Sequence, residues 1–177
     1  MKRFIVVALL SSSALAAPVG ETFTGGGIGM DVTTTKYKNG DLQGKQAIGI
    51  NFTLDYAIDY GRNLIGIIDG KAKLGSSNIF HDIKQKSQYS IGYAQGYRLL
   101  PDILPYVKLH YSISKISDFG SFKGIGYAIG VKYAISNDIE VGLEYSKNNL
   151  KRNGTKLKGN AIGTNLSYRF LIFKLYK

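Results

Sequence analysis

Large apolar residues alternate with small or polar ones over stretches of about ten residues in this chain. In residues 124–134, for example, Ile125, Tyr127 and Ile129 are separated by single glycine and alanine residues. A period of two places all the large side chains on one face of an extended strand, whereas an amphipathic helix needs apolar residues three and four positions apart. Beyond the first 16 residues no window sustains the helical spacing. The pattern predicts a chain that is nearly all β.

Eight segments carry this alternation, some strongly and some weakly. The strong ones are residues 44–56, 106–114, 124–134, 139–146 and 160–170, and the weak ones are residues 22–34, 63–74 and 87–97. Each predicted strand has one large apolar face and one face of Gly, Ala, Ser, Asn and charged residues. A soluble barrel would bury the large face and a membrane barrel would turn it outward, so alternation alone does not separate the two.

The connections between these segments alternate in length, and this favours the membrane. The long ones are residues 36–43, 75–85, 115–123 and 147–158, and the short ones are residues 57–62, 99–104 and 136–138. Long loops at one end and tight turns at the other are typical of outer-membrane barrels with strands of about 9–11 residues. We therefore expect an all-β fold, an eight-stranded antiparallel transmembrane up-and-down β-barrel, with its N-terminus and short turns in the periplasm.

Composition agrees with this architecture. The chain of 177 residues has 13 Tyr, 22 Gly and only 3 Pro. Tyrosines are expected where the barrel wall meets the lipid headgroups at its two ends, and glycines in a narrow interior. Prolines are scarce because every strand N–H within the membrane must be paired. We expect interfacial girdles formed by tyrosines near the strand ends: Tyr56, Tyr97, Tyr106, Tyr133, Tyr145 and Tyr168. The mean hydropathy of −0.06 is compatible with a membrane barrel, because it is the average of apolar residues that face lipid and polar residues that face the interior. The absence of Cys excludes disulfides, thiolate metal sites and thiol catalysis.

The first residues have the pattern of a secretory signal peptide. Two basic residues at positions 2 and 3 precede an apolar core at residues 4–10, and Ala14 and Ala16 provide a small-residue cleavage pattern. The apolar run is too short for a membrane-spanning helix. We expect a signal peptide at residues 1–16 and an outer-membrane β-barrel domain at residues 17–177, exported to the outer membrane.

Several segments resemble the opacity-type, porin-family outer-membrane β-barrel proteins. These are residues 22–32 (TFTGGGIGMDV), 104–115 (LPYVKLHYSISK), 124–146 (GIGYAIGVKYAISNDIEVGLEYS) and 160–170 (NAIGTNLSYRF). The resemblance implies an eight-stranded barrel of OmpA and OmpX build in a Gram-negative outer membrane, within a family that includes adhesins. Family members usually end on the aromatic residue of the last strand. The outer-membrane assembly machinery, an expected partner of this chain, recognises that residue. This chain continues seven residues past Phe170, so Phe173 or Tyr176 could take that role.

Charged residues also occur on the predicted inward face. They are Lys45, Asp55, Asp69, Lys71, Lys73, Lys108, His110, Lys132, Glu140, Glu144 and Arg169. An eight-stranded barrel is just wide enough for side chains to fill it. We therefore expect the charges to pair as a plug, with a small porin-like channel as the alternative. The candidate interior charge network is Lys132, Glu140, Glu144 and Arg169.

Most of the remaining positive charge lies in the predicted long loops, and the formal net charge is +11. The candidate basic loop residues are Lys36, Lys38, Lys84, Lys86, Lys115, Lys123, Lys147, Lys151, Arg152, Lys156 and Lys158. An exported chain does not meet nucleic acid, so we expect these residues to contact lipopolysaccharide phosphates, or anionic host glycans or receptors. We expect a monomer.

No catalytic, cofactor-binding or metal-binding residues are expected. His110 and Ser112 superficially resemble the His-x-Ser pair of lipid A deacylases, but both have inward parity and lack a nearby acidic partner, so a lipid-modifying enzyme is only a second alternative. His81 and Asp82 form a lone loop pair. Residues 25–27, three consecutive glycines, lack the Gly-Lys-Ser/Thr ending of a phosphate-binding loop and are expected to mark a bulge or a close interior contact.

Overall fold

The computed structural model of the protein describes residues 22–40, 42–79 and 83–170. The predicted signal peptide at residues 1–16, the His81 and Asp82 pair and the segment after Phe170 lie outside the described residues. Within the described part of the chain, no helix is long and apolar enough to cross a membrane.

In the part of the chain that the structure describes, eight long strands and one two-residue strand form a single antiparallel sheet. They are β1 (Gly25–Asn39), β2 (Leu42–Asp59), β3 (Leu64–Leu74), β4 (Ser77–Asn78), β5 (Lys84–Tyr97), β6 (Ile103–Ile116), β7 (Gly120–Ala134), β8 (Ile139–Arg152) and β9 (Thr155–Phe170). Each long strand pairs with its neighbours in the chain, β9 pairs with β1, and β3 pairs with β5 beside the short β4. The sheet is thus a closed up-and-down barrel, and all eight predicted strands are confirmed.

The two ends of the barrel differ. At the terminal end lie Thr22, Phe170 and the turns at residues 60–63, 98–102 and 135–138. At the other end, the basic end, β1 is followed by β2, β3 by β4 and β5, β6 by β7, and β8 by β9. The prediction of long loops at the basic end was wrong for three of the four connections. Their polar segments are paired strands for most of their length, because backbone pairing does not require apolar side chains.

Lys45 is exposed, which contradicts its predicted inward position. Between the pairs Lys36↔Gln46 and Lys38↔Gln43, the strand β2 contains one residue more than β1. Such a bulge shifts the alternation of the bulged strand, so that Lys45 and Gln46 both reach solvent while Gly44 is buried.

The outward face of the barrel is apolar, as a membrane-facing wall requires. Ile91, Val107, Leu109 and Ile129 are each more than 60% exposed. Five of the six tyrosines expected in the girdles also point outward, and Tyr97 and Tyr133 lie at or beside the ends of their strands. Tyr106 is the exception.

Tyr106 points into the barrel, so its assignment to a girdle was wrong. Its ring lies against Gly130, where an added Cβ would come within 2.5 Å of the tyrosine. The glycine therefore makes the room that a large inward ring requires. Glycines of β1 serve the same purpose, since a Cβ on Gly27 would meet the Asp55 carboxylate at 2.6 Å, which confirms the expected close interior contact.

Two apolar clusters fill the lumen near its two ends. The terminal plug consists of Phe23, Ala57, Ile65, Ile67, Ala94, Leu104 and Ala134, with Tyr106 packed against it. The basic-end plug consists of Tyr37, Ala47, Ile79, Ile116, Phe122, Leu150 and Leu157. Polar and charged residues occupy the lumen between and beside these plugs.

Candidate functional site

Four buried charges form a terminal charge cluster, which consists of Asp55, Lys132, Glu140 and Arg169. Arg169 donates from Nε and Nη2 to the two oxygens of Glu140, and its Nη1 lies 2.5 Å from Asp55 Oδ1. Lys132 Nζ is 3.1 Å from Glu140 Oε2 and 3.5 Å from Asp55 Oδ2. Two carboxylates therefore meet two cations, so that the cluster is neutral and each charge has an opposite partner.

A second group of charges, the central charge cluster, consists of Asp31, Asp69, Lys71, Lys108 and Glu144. Lys71 Nζ lies 2.8 Å from Asp31 Oδ2 and 3.0 Å from Glu144 Oε1. Lys108 Nζ lies 2.7 Å from Glu144 Oε2 and 3.2 Å from Asp69 Oδ2. With three carboxylates and two lysines, this cluster has one more negative charge than positive.

The predicted interior network is thus divided between two clusters. Lys132, Glu140 and Arg169 come together, whereas Glu144 joins the lysines of β3 and β6. Asp31 was missed because the weak alternation of residues 22–34 gave no clear parity. The sequence nevertheless indicates that Asp31 points inward. It lies two and four residues after Gly29 and Gly27, so the three residues share one face of β1, and glycines on that face indicate a crowded interior that also has room for a short carboxylate side chain.

The central part of the lumen holds two small cavities among the described residues. Their volumes are about 40 and 50 Å³, and Lys71, Lys108 and Glu144 line both of them. The Tyr106 hydroxyl donates to Glu144 Oε2 over 2.9 Å and fills the lumen beside them. Side chains therefore occupy the middle of the barrel as well as its two plugs.

His110 and Ser112 point inward as predicted. His110 Nε2 lies 2.7 Å from Asn148 Oδ1, and the Ser112 hydroxyl donates to the same oxygen over 3.4 Å. His110 Nδ1 is buried and has no hydrogen-bond partner among the described residues. No group of three or more His, Asp or Glu side chains within the described ranges is arranged to hold a metal ion.

The eleven predicted loop cations all lie on strands near the basic end. Lys36 and Lys38 are on β1; Lys84 and Lys86 are on β5; Lys115 is on β6 and Lys123 on β7; Lys147, Lys151 and Arg152 are on β8; Lys156 and Lys158 are on β9. None of them takes part in an ion pair within the described part of the chain. The strands hold these cations in a fixed register, which loops would not do.

The register brings like charges face to face. Lys151 of β8 is directly opposite Lys123 of β7 and Lys156 of β9, and all three side chains are exposed. We call these three residues the lysine row. Lys38 of β1 is likewise opposite Lys158 of β9. Directly opposed like charges destabilise a strand pair unless something neutralises them.

Comparisons with known proteins agree with the fold. A family model described as an outer membrane protein beta-barrel domain matches residues 4–170. The Neisserial surface protein A of Neisseria is similar in structure, with a TM-score of 0.62 and 18% identity over 83% of this chain and 98% of that one.

The attachment invasion locus protein Ail of Yersinia pestis is also similar, with a TM-score of 0.56 and 17% identity over 81% of this chain and 99% of that one. A second Ail structure, in complex with the heparin analogue sucrose octasulfate, has a TM-score of 0.52 and 16% identity over the same shares of the two chains. No curated protein matches this chain.

Proposed function

The chain belongs to the outer-membrane β-barrel domain family, and from this premise we propose that it is a surface protein of the opacity or adhesin type. Residues 1–16 direct its export, and the basic end faces the outside of the cell. There its cations contact anionic groups of lipopolysaccharide or of host surface molecules. The outer-membrane assembly machinery inserts the barrel, which acts as a monomer.

The lysine row is the observation that carries this proposal. Three exposed ammonium groups on adjacent strands repel one another, and Lys123, Lys151 and Lys156 have no ion-pair partner among the described residues. Strands of a sheet lie about 4.8 Å apart, so the three side chains can reach one polyanionic group together. Such a ligand would offset their mutual repulsion, which favours a polysulfated or polyphosphorylated partner over an isolated anion.

The Ail complex suggests a practical probe. In that complex, a barrel of similar fold is bound to a heparin analogue, and at 16% identity the similarity to this chain concerns the fold alone. Heparin is nevertheless a fitting probe for the lysine row, because its sulfates are closely and regularly spaced along a flexible chain. Binding to it would support an adhesive role.

The orientation can be tested by labelling. The chain contains no Cys, so Lys156→Cys and Arg62→Cys each introduce a unique thiol, the first at the basic end and the second in an exposed turn at the terminal end. A membrane-impermeant maleimide applied to intact cells should label the first variant and not the second. Labelling of Arg62→Cys alone would overturn the proposal.

Heparin binding tests the lysine row itself. The full-length protein in detergent should bind immobilised heparin. Lys123→Gln/Lys151→Gln/Lys156→Gln should weaken binding about a hundredfold, since each lysine contributes about 1 kcal/mol. Lys84→Gln/Lys86→Gln/Lys115→Gln removes the same charge from the β5 and β6 side of the basic end and is the matched control. An equal loss in both variants, or no loss in either, would contradict a site at the row.

The two alternatives have less support. A channel needs a continuous aqueous path, whereas two apolar plugs and a filled centre occupy this lumen. A lipid-modifying hydrolase needs an acidic group to orient its histidine, and His110 contacts the Asn148 amide inside the barrel.

A further inference from the structure

Four adjacent strands, β8, β9, β1 and β2, form one continuous wall on which outward side chains are arranged in rows. One row contains Leu143, Thr164, Val32 and Ile50, and the next towards the basic end contains Tyr145, Ile162, Thr34 and Ile48. The following row contains Lys147, Asn160, Lys36 and Gln46. The wall therefore changes from apolar to polar within a single step of two residues, or about 7 Å along the strand.

Cations are concentrated just beyond this boundary. Lys36 and Lys147 lie in the first polar row, and the opposed pair of Lys38 and Lys158 lies in the next. The Lys147 ammonium is 5.9 Å from the centre of the Tyr145 ring, so it sits over the last apolar row. A molecule in contact with both rows would need an apolar part and more than one negative charge.

A groove crosses the boundary at this place. It has a volume of about 580 Å³ and extends from Lys36, Gln46 and Asn160 down to Val32 and Ile162, with Tyr145 at one side. Thr34 and Thr164 are diagonal neighbours whose short side chains leave a depression among the larger ones. The groove is thus polar and cationic above and apolar below.

We propose that this groove binds the phosphorylated sugar headgroup and one acyl chain of lipid A, the anchor of lipopolysaccharide. The inference rests on the proposed function, since it takes the basic end as the outer one. Lys36 and Lys147 are on strands separated by β9, about 10 Å apart along the row. A glycolipid with a phosphate at each end of its disaccharide can contact both lysines, whereas a glycerophospholipid has one phosphate and reaches one of them. The apolar floor holds the acyl chain beneath the headgroup.

Lipid retention by the full-length protein tests the proposal. The protein is placed in phosphatidylcholine nanodiscs that contain bisphosphorylated lipid A, monophosphoryl lipid A or phosphatidylglycerol, and bound lipid is counted by native mass spectrometry. Bisphosphorylated lipid A should be retained best. Lys36→Gln/Lys147→Gln should weaken its retention more than tenfold, roughly as expected for two lysines at an anionic surface.

Two further variants distinguish binding in the groove from attraction to the overall positive charge of the basic end. Thr34→Leu/Thr164→Leu fills the groove, leaves every cation in place and should also reduce retention. Lys84→Gln/Lys86→Gln removes two exposed cations on β5 and should leave retention unchanged. The proposal is overturned if the wild type retains no lipid A, or if it retains phosphatidylglycerol to the same extent as bisphosphorylated lipid A. It is also overturned if Lys84→Gln/Lys86→Gln reduces retention as much as Lys36→Gln/Lys147→Gln does.

The outcome is distinguishable from that of the proposed function. Nanodiscs offer lipid A on both faces, so the retention assay does not depend on orientation in the cell, and its variants leave the lysine row intact. Loss of heparin binding by a barrel of the expected orientation would remove the adhesin proposal while lipid A retention persisted, whereas a reversed orientation would remove both proposals, because the groove would then lie away from the outer leaflet. Heparin binding that survived while lipid A was not retained would remove the groove alone.

Discussion

Arg169 and Glu140 make a two-point contact across adjacent strands in the lumen. Arg169 Nε donates to Glu140 Oε1, Nη2 donates to Oε2 over 3.1 Å, and both residues are 1% exposed. The guanidinium fork suits a carboxylate in this geometry. Because the terminal charge cluster is neutral, any change of charge within it leaves a buried ion without a partner.

We therefore expect Glu140→Gln to destabilise the barrel by about 3–5 kcal/mol, since Lys132 and Arg169 would share only Asp55. The measurement is the temperature at which the heat-modifiable band of the folded barrel disappears on a gel. Asp118→Asn, an equal change in an exposed turn, is the control and should leave that temperature unchanged. A similar temperature for both variants would contradict the role of the cluster.

The central charge cluster should respond differently to the same substitution. Glu144→Gln leaves two carboxylates for Lys71 and Lys108, so the cluster becomes balanced and the cost should be about 1 kcal/mol, near that of one hydrogen bond. The same gel assay applies. If Glu144→Gln were as destabilising as Glu140→Gln, the charge balance of the two clusters would not be the deciding factor.

Gly130 should not tolerate a side chain. A Cβ there would lie 2.5 Å from the Tyr106 ring and 2.7 Å from the Leu143 carbonyl oxygen, so Gly130→Ala should destabilise by about 1–3 kcal/mol. Gly142 on the neighbouring strand offers a matched control, because a Cβ there would meet nothing closer than 3.6 Å. Gly142→Ala should be neutral in the same melting assay, and equal melting of the two variants would contradict this account.

The boundary between apolar and polar rows on β9 predicts that the cost of an added charge depends on its depth in the membrane. Leu166→Arg places a charge on the apolar part and should cost about 2–4 kcal/mol, whereas Asn160→Arg lies beyond the boundary and should cost about 0–1 kcal/mol. Both can be measured by urea unfolding in phospholipid vesicles. Equal costs would place the edge of the membrane elsewhere on β9.

The filled lumen predicts that the protein does not conduct. Planar bilayers with the purified protein should show no discrete current steps, and Phe23→Ala, which shortens the terminal plug only, should not produce them because the basic-end plug remains. Reproducible steps with the wild type, after insertion is verified by its heat-modifiable band, would favour the channel alternative.

Strand positions and the outward face could be predicted from the sequence because alternation is a local property of an extended chain. Ile125, Tyr127 and Ile129 face outward as their spacing indicates. The prediction failed where local parity is ambiguous: Tyr106 and Val107 are both large, and a bulge displaces Lys45. Strand lengths at the basic end were underestimated because polar residues pair through the backbone as well as apolar ones do.

The sequence by itself determined which residues of most strands share a face, because a period of two places alternate side chains on opposite faces. It misplaced Lys45, where a bulge shifts the alternation, and Tyr106, where two large residues are adjacent. It did not determine which charges meet. Lys71 on β3 reaches Asp31 on β1 and Glu144 on β8 only because the sheet closes and brings the far wall within reach. The lysine row depends likewise on the register of three strands. Closure and register are long-range properties, and only the tertiary structure decided them.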